Sequence, residues 1–125
     1  MNRRSALGSG VAFALSYGPF AQSAPPVLAQ TEINYLLGSI ERSGCIFYRN
    51  GSWYDAGKAQ AHLRSKYDAL AAMGRIVTAE DFIEQAATKS SLSGEAYAIR
   101  CNSAPAVTTD QWLRDALARY RLAAR

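Results

Sequence analysis

One histidine, His62, stands four residues ahead of Lys66 in the stretch AQAHLRSK, and Arg49 opens the sequence RNG shortly before it. Residues four apart lie on one face of a helix, so His62 and Lys66 point the same way, beside Ala59 and Leu63. In that arrangement an imidazole can serve as acid or base, while the ammonium binds an anion or lowers the histidine pKa. The same two residues also read as scaffold: a histidine hydrogen-bonded to backbone and a lysine whose stem packs while its amine reaches water. His62 is therefore the catalytic candidate, with no orienting partner evident along the chain.

Ser90, Ser91 and Ser93 precede Gly94 in SSLSG and add hydroxyls. They lack the G-x-S-x-G elbow that presents a nucleophile beside an oxyanion hole, and serines after a helix commonly hold its last carbonyls or cap turns. Together with Arg49 and Lys66 this loop can hold a carboxylate or phosphate through charge-assisted hydrogen bonds. Three basic groups repel unless an acid or bound anion sits among them, and Glu80 is the internal candidate; alternatively Arg49 simply pairs with Glu80 and ties a hairpin to a helix. The candidate ligand-binding residues are Arg49, Asn50, His62, Lys66, Glu80, Ser90, Ser91 and Tyr97. One histidine and two cysteines expected to pair leave no ligand cluster, so neither metal nor cofactor is expected. Trp53 and Tyr54 suit sugar stacking if exposed, or packing against a helix if not.

These residues have to be positioned by secondary structure. Ile33, Leu36, Leu37 and Ile40 recur at helical spacing, predicting a helix that starts at Thr31 and stops at Ser43-Gly44. The period then changes: Cys45–Arg49 and Ser52–Tyr54 are strand-like runs around Asn50-Gly51, a type I′ hairpin signal. Asp55 can cap a second helix running to about Met73, with Ala59, Leu63, Tyr67 and Leu70 inward. Thr78-Ala79-Glu80-Asp81 reads as a capping box for a third helix. Tyr97, Ile99 and Cys101 alternate as a strand, residues 102–107 form a Pro-containing connection, and Thr108 opens the last helix. The expected fold is α+β in the order α-β-β-α-α-β-α, a short three-stranded antiparallel sheet packed by four helices. If the first and third strands are neighbours, Cys45 lies opposite Cys101, Phe47 opposite Ile99 and Arg49 opposite Tyr97.

A chain of 125 residues suits one domain. Its start, MNRRSALGSGVAFALSYGPFAQSAPPVLAQ, places Arg3 and Arg4 before an apolar run from Ala6 to Phe20 broken by glycines and Pro19, a Sec-type signal peptide rather than a membrane span. Cleavage is expected after Ala29, since a cut after Ala24 would put Pro25 in the scissile bond. The mature domain, residues 30–125, would be periplasmic or secreted, with no membrane span. Of the 14 Lys and Arg, Arg3 and Arg4 fall in the leader, leaving 12 against 10 acidic side chains. So small an excess names no polyanionic partner, export argues against nucleic acid, and the arginines near the C-terminus read as a solvated helix face. Outside the cytoplasm, Cys45 and Cys101 most simply form a disulfide.

The blocks Phe47-x-Arg49-Asn50-Gly51, Ala59-x-x-His62-Leu63-x-x-Lys66, Thr78-Ala79-Glu80-x-Phe82-Ile83 and Ser90-Ser91-x-Ser93-Gly94-x-x-Tyr97 resemble, in that order, the YfeK-like family of small exported bacterial proteins, a domain of unknown function. The resemblance runs from about Glu32 into the last helix. It implies an exported single domain and supplies no activity; the cysteine pair is not part of its pattern. The functional expectation is a non-catalytic envelope domain that binds a small anionic or envelope ligand or a protein partner. A hydrolase-type enzyme using His62 and a purely structural or interaction protein are the alternatives.

Overall fold

The computed structural model describes residues 24–125, so the expected leader lies outside the described residues as far as residue 23. The first helix, α1 (Val27–Arg42), begins four residues before the expected Thr31. Its buried stripe explains the difference, because Ala29 is the first member of a series continued by Ile33, Leu36, Leu37 and Ile40. Pro26 occupies the N-cap, where a missing N–H costs nothing. The Gln30 side chain donates back to the Pro25 carbonyl at 2.6 Å and secures this first turn.

After α1, strands β1 (Ile46–Arg49) and β2 (Ser52–Asp55) form the expected hairpin. Asn50 and Gly51 have φ of 50° and 93°, the pair of positive values that a type I′ turn requires. Helix α2 (Ala56–Ala72) follows directly, capped by the Asp55 carboxylate, which accepts from Lys58 N at 2.8 Å. The capping box of α3 (Ala79–Ala86) is formed reciprocally: the Thr78 hydroxyl accepts from Asp81 N, and the Asp81 carboxylate accepts from Thr78 N.

Strand β3 (Ala98–Arg100) pairs with β1, Phe47 lying opposite Ile99 as expected. The Cys45–Cys101 disulfide continues that register, with a Cα–Cα distance of 4.4 Å. Its separation of 56 residues makes it worth about 4 kcal/mol by the loop-entropy argument. The sheet has four strands, not three. The segment expected as connection ends in β4 (Val107–Thr108), which pairs with β3 through Ala98–Thr108 and Ile99–Val107 and leads straight into α4 (Thr109–Ala123). Strand order is β2-β1-β3-β4, antiparallel throughout.

The core between sheet and helices is built from Phe47 and Ile99 of the strands, Leu36 and Ile40 of α1, Leu63 of α2, Phe82 of α3 and Leu113 of α4. Each large side chain buried here stabilises the fold by about 1.5–3 kcal/mol relative to exposure. Glu32 lies in the buried stripe of α1, and Arg121 of α4 donates to both its carboxylate oxygens at 2.8 Å. The same guanidinium reaches Glu80 at 2.7 and 3.0 Å, so one arginine fastens α1, α3 and α4.

Candidate functional site

Period-2 alternation along β1 puts Arg49 on the side of Phe47, two residues further and at the end of the strand. There its guanidinium lies 4.5 Å from the centroid of the Tyr54 ring. Among the described residues no ion pair engages it. Across from it, α2 presents Ala59, His62 and Leu63 at helical spacing, and Tyr97 arrives just ahead of β3. Phe47, Arg49, Tyr54, Ala59, His62, Leu63, Tyr97 and Thr109 enclose a cleft with Tyr48 at its margin.

The cleft is graded. Arg49, Tyr54, Ala59 and His62 are half-buried, whereas Phe47, Leu63, Tyr97 and Thr109 are buried. Its empty volume is about 280 Å3, counting the part that faces solvent. Its lining contains no carboxylate.

Tyr97 organises the polar side. Its hydroxyl lies 3.2 Å from His62 Nε2 and 3.1 Å from Lys66 Nζ. An ammonium can only donate, so the Tyr97 oxygen accepts from Lys66, and it keeps both a proton to give and a second lone pair toward His62 Nε2. The tyrosine donates when a neutral His62 carries its hydrogen on Nδ1, and accepts when the hydrogen is on Nε2. The electrostatics agree: burial, then the charges of Arg49 and Lys66, push the His62 pKa below its ordinary 6.5. Lys66 also donates to the Lys89 carbonyl at 3.3 Å and stands behind Tyr97 rather than in the cleft wall.

Of the residues singled out in the sequence, Arg49, His62, Lys66 and Tyr97 come together. Glu80 does not join them: its carboxylate is taken by Arg121, which holds its pKa below the ordinary 4.5. Asn50 is exposed at the hairpin turn. Ser90 is buried, and its Oγ accepts from the backbone N–H groups of Leu92 and Ser93, closing the SSLSG turn; Ser91 is exposed beside it. The sequence reading missed Thr109, and it also missed the Glu32–Arg121–Glu80 clamp, whose two glutamates lie 89 and 41 residues from the arginine. Among the described residues no three His, Cys, Asp or Glu side chains are grouped to hold a metal ion, and no helix is long and apolar enough to cross a membrane.

The model of a family of unknown function, DUF5329, matches residues 27–121. The chain belongs to that family. The matched region contains all four motif blocks and every element from α1 into α4. No curated protein and no solved structure matches it.

Proposed function

We propose that this DUF5329 protein is an exported, non-catalytic binding domain that holds a small anionic ligand in the cleft between the β1–β2 hairpin and α2. The reading rests on one observation. Arg49, without an ion-pair partner among the described residues, stands at the mouth of a cleft whose lining includes no acid. A guanidinium so placed is matched by a carboxylate or phosphate oxygen. His62 adds a polar edge, and Lys66 adds positive potential through Tyr97.

A hydrolytic role for His62 is less well supported. Its Nε2 is engaged by the Tyr97 hydroxyl, and Ser90 spends its oxygen on the loop backbone. Residence outside the cytoplasm, and kinship with the YfeK-like proteins in particular, are part of the proposal; the disulfide and the absence of a membrane-length helix among the described residues are compatible with export.

Calorimetric titration and thermal shift with inorganic phosphate and acetate test the reading. Saturating anion should raise the melting temperature of the wild type by mass action, and Arg49→Gln should lose most of that rise. Anions that leave the wild type unmoved, or act equally on Arg49→Gln, would remove the proposal.

A further inference from the structure

The face of the sheet turned away from the core carries an ordered row of side chains. Phe47 and Ile99 point into the core, so period-2 alternation and the pairing register put Ile46 and Tyr48 of β1, Trp53 of β2, and Ala98 and Arg100 of β3 on the opposite face. Ile46 and Trp53 are each 39% exposed, Tyr48 and Ala98 are half-buried, and Arg100 is exposed. The Tyr48 hydroxyl donates to the exposed Glu95 carboxylate, with both oxygens at 3.2 Å. The Tyr48 ring meets Trp53 edge-on at 5.4 Å, and the Arg100 guanidinium lies 4.6 Å from the centroid of the Trp53 ring. Largely extended chain separates Glu95 from Arg100, which sets their backbones roughly 15 Å apart. An acid thus stands at one end of an aromatic strip and a cation at the other. Among the described residues no ion pair engages either.

We propose that this face is a homodimer interface, occupied by a second copy of the same chain. Its charge pattern selects that partner. A strip that is negative at one end, aromatic in the middle and positive at the other is complementary to its own image turned through 180°. A two-fold axis lying in the interface, across the strip, sets each Glu95 on the partner subunit's Arg100 and brings the aromatic centres together. A polyanion or polycation would meet repulsion at one end. Tyr, Trp and Arg are also the residue types enriched where proteins meet and where their binding energy concentrates. Strands of four, four and three residues make a small face, so the pairing is weak, with a Kd on the order of 10–100 µM rather than that of an obligate dimer. The anion cleft lies between the hairpin and α2, on the core side of the sheet, and the two readings stand independently.

Sedimentation equilibrium of the oxidised protein over about 5–500 µM, a range that brackets such a Kd, tests the interface. The wild type should pass from monomer to dimer as concentration rises. Arg100→Glu and Glu95→Arg should each weaken the dimer at least about tenfold, because each sets like charges against one another. The two changes combined restore opposite charges and should recover most of that loss. Arg119→Glu, an equal change of net charge on an exposed residue of α4, should leave the dimer unmoved. Arg100→Gln and Glu95→Gln remove charge without reversing it; each should weaken the dimer by a smaller factor, and they carry the comparison for any reversal that fails to fold. A protein that stays monomeric at every concentration, or a dimer indifferent to Arg100 and Glu95, would overturn the proposal and leave the anion cleft standing. Equal weakening by Arg119→Glu, or no recovery in the combined variant, would overturn it as well, since the two-fold pairing of these two charges is what it asserts.

Discussion

The Tyr97 hydroxyl and His62 Nε2 lie 3.2 Å apart, and Lys66 donates to the same oxygen from 3.1 Å, so one phenol links the histidine to the ammonium. We expect the neutral Nδ1–H imidazole, to which the tyrosine gives its proton. Nitrogen chemical shifts of His62 at neutral pH should report that tautomer in the wild type. Tyr97→Phe should lower stability by about 1–2 kcal/mol, since it leaves a partly buried imidazole nitrogen and an ammonium short of a partner. An Nε2–H tautomer in the wild type would reverse the donor order and overturn the assignment.

The depressed His62 pKa makes stability depend on pH in a known direction. The folded protein resists protonating His62, whereas the unfolded chain takes the proton near the ordinary 6.5. The unfolded state therefore binds more protons between that value and the lower folded pKa, and stability is lost as pH falls through this window. Melting temperature should decline from pH 7 toward pH 5, and His62→Gln should flatten the decline. Arg49→Gln should flatten it in part, because the Arg49 charge is one cause of the shift. A bound anion should work the other way, favouring protonated His62 and binding more tightly at the acidic end. Glu80 contributes at lower pH still: its pKa is held below 4.5, so its contribution disappears only as pH falls beneath that value.

Arg121 is the stronger structural lever. Its pKa is raised by hydrogen bonds to Glu32 first and Glu80 second. The Glu32 side chain is 6% exposed and the Glu80 side chain 44%, so losing the arginine strands one buried carboxylate and one that water can reach. Arg121→Gln should destabilise by roughly 3 kcal/mol. Glu80→Gln should cost about 1 kcal/mol or less, and added phosphate should not restore it, because Glu80 is remote from the cleft. Urea unfolding of both variants, with and without phosphate, checks the pair; equal losses would show that burial of Glu32 is not what matters.

Where local chemistry decides conformation, the sequence was readable. Asn50-Gly51 accept the positive φ that the hairpin needs, and the caps at Asp55, Thr78 and Thr108 are contacts within three residues. Helical spacing brought His62 and Lys66 together, and strand register brought Arg49 toward Tyr97. Features set by distant partners were not readable. Strand β4 is two residues long and exists through its pairing with β3. Glu80 follows the face of α3 toward α4 instead of the basic cleft, because Arg121 waits there. Thr109 follows another threonine in the chain, and nothing local tells which hydroxyl caps the helix and which is buried without a partner.

Under the proposed export, the first turn of α1 gives a prediction about where the leader would be cut. Ala29 is 3% exposed, Pro25 is buried, and the Gln30 amide bonds the Pro25 carbonyl, so a chain beginning at Gln30 would lack the N-cap, this bond and part of the core. A lost methyl contact, a lost hydrogen bond and a frayed helix start together amount to roughly 1–3 kcal/mol. Ala21 and Ser23 offer small residues at −3 and −1 for a cut before Ala24, which leaves that turn complete and keeps Pro25 out of the scissile bond. Protein beginning at Ala24 should therefore melt several degrees above protein beginning at Gln30, a shift consistent with that loss in a domain of this size. If the proposed export holds, intact-mass measurement of protein recovered outside the cytoplasm should find Ala24 first. Equal melting of the two forms would mean that α1 is held by its later turns alone, and a native start at Gln30 would return the cleavage site to Ala29.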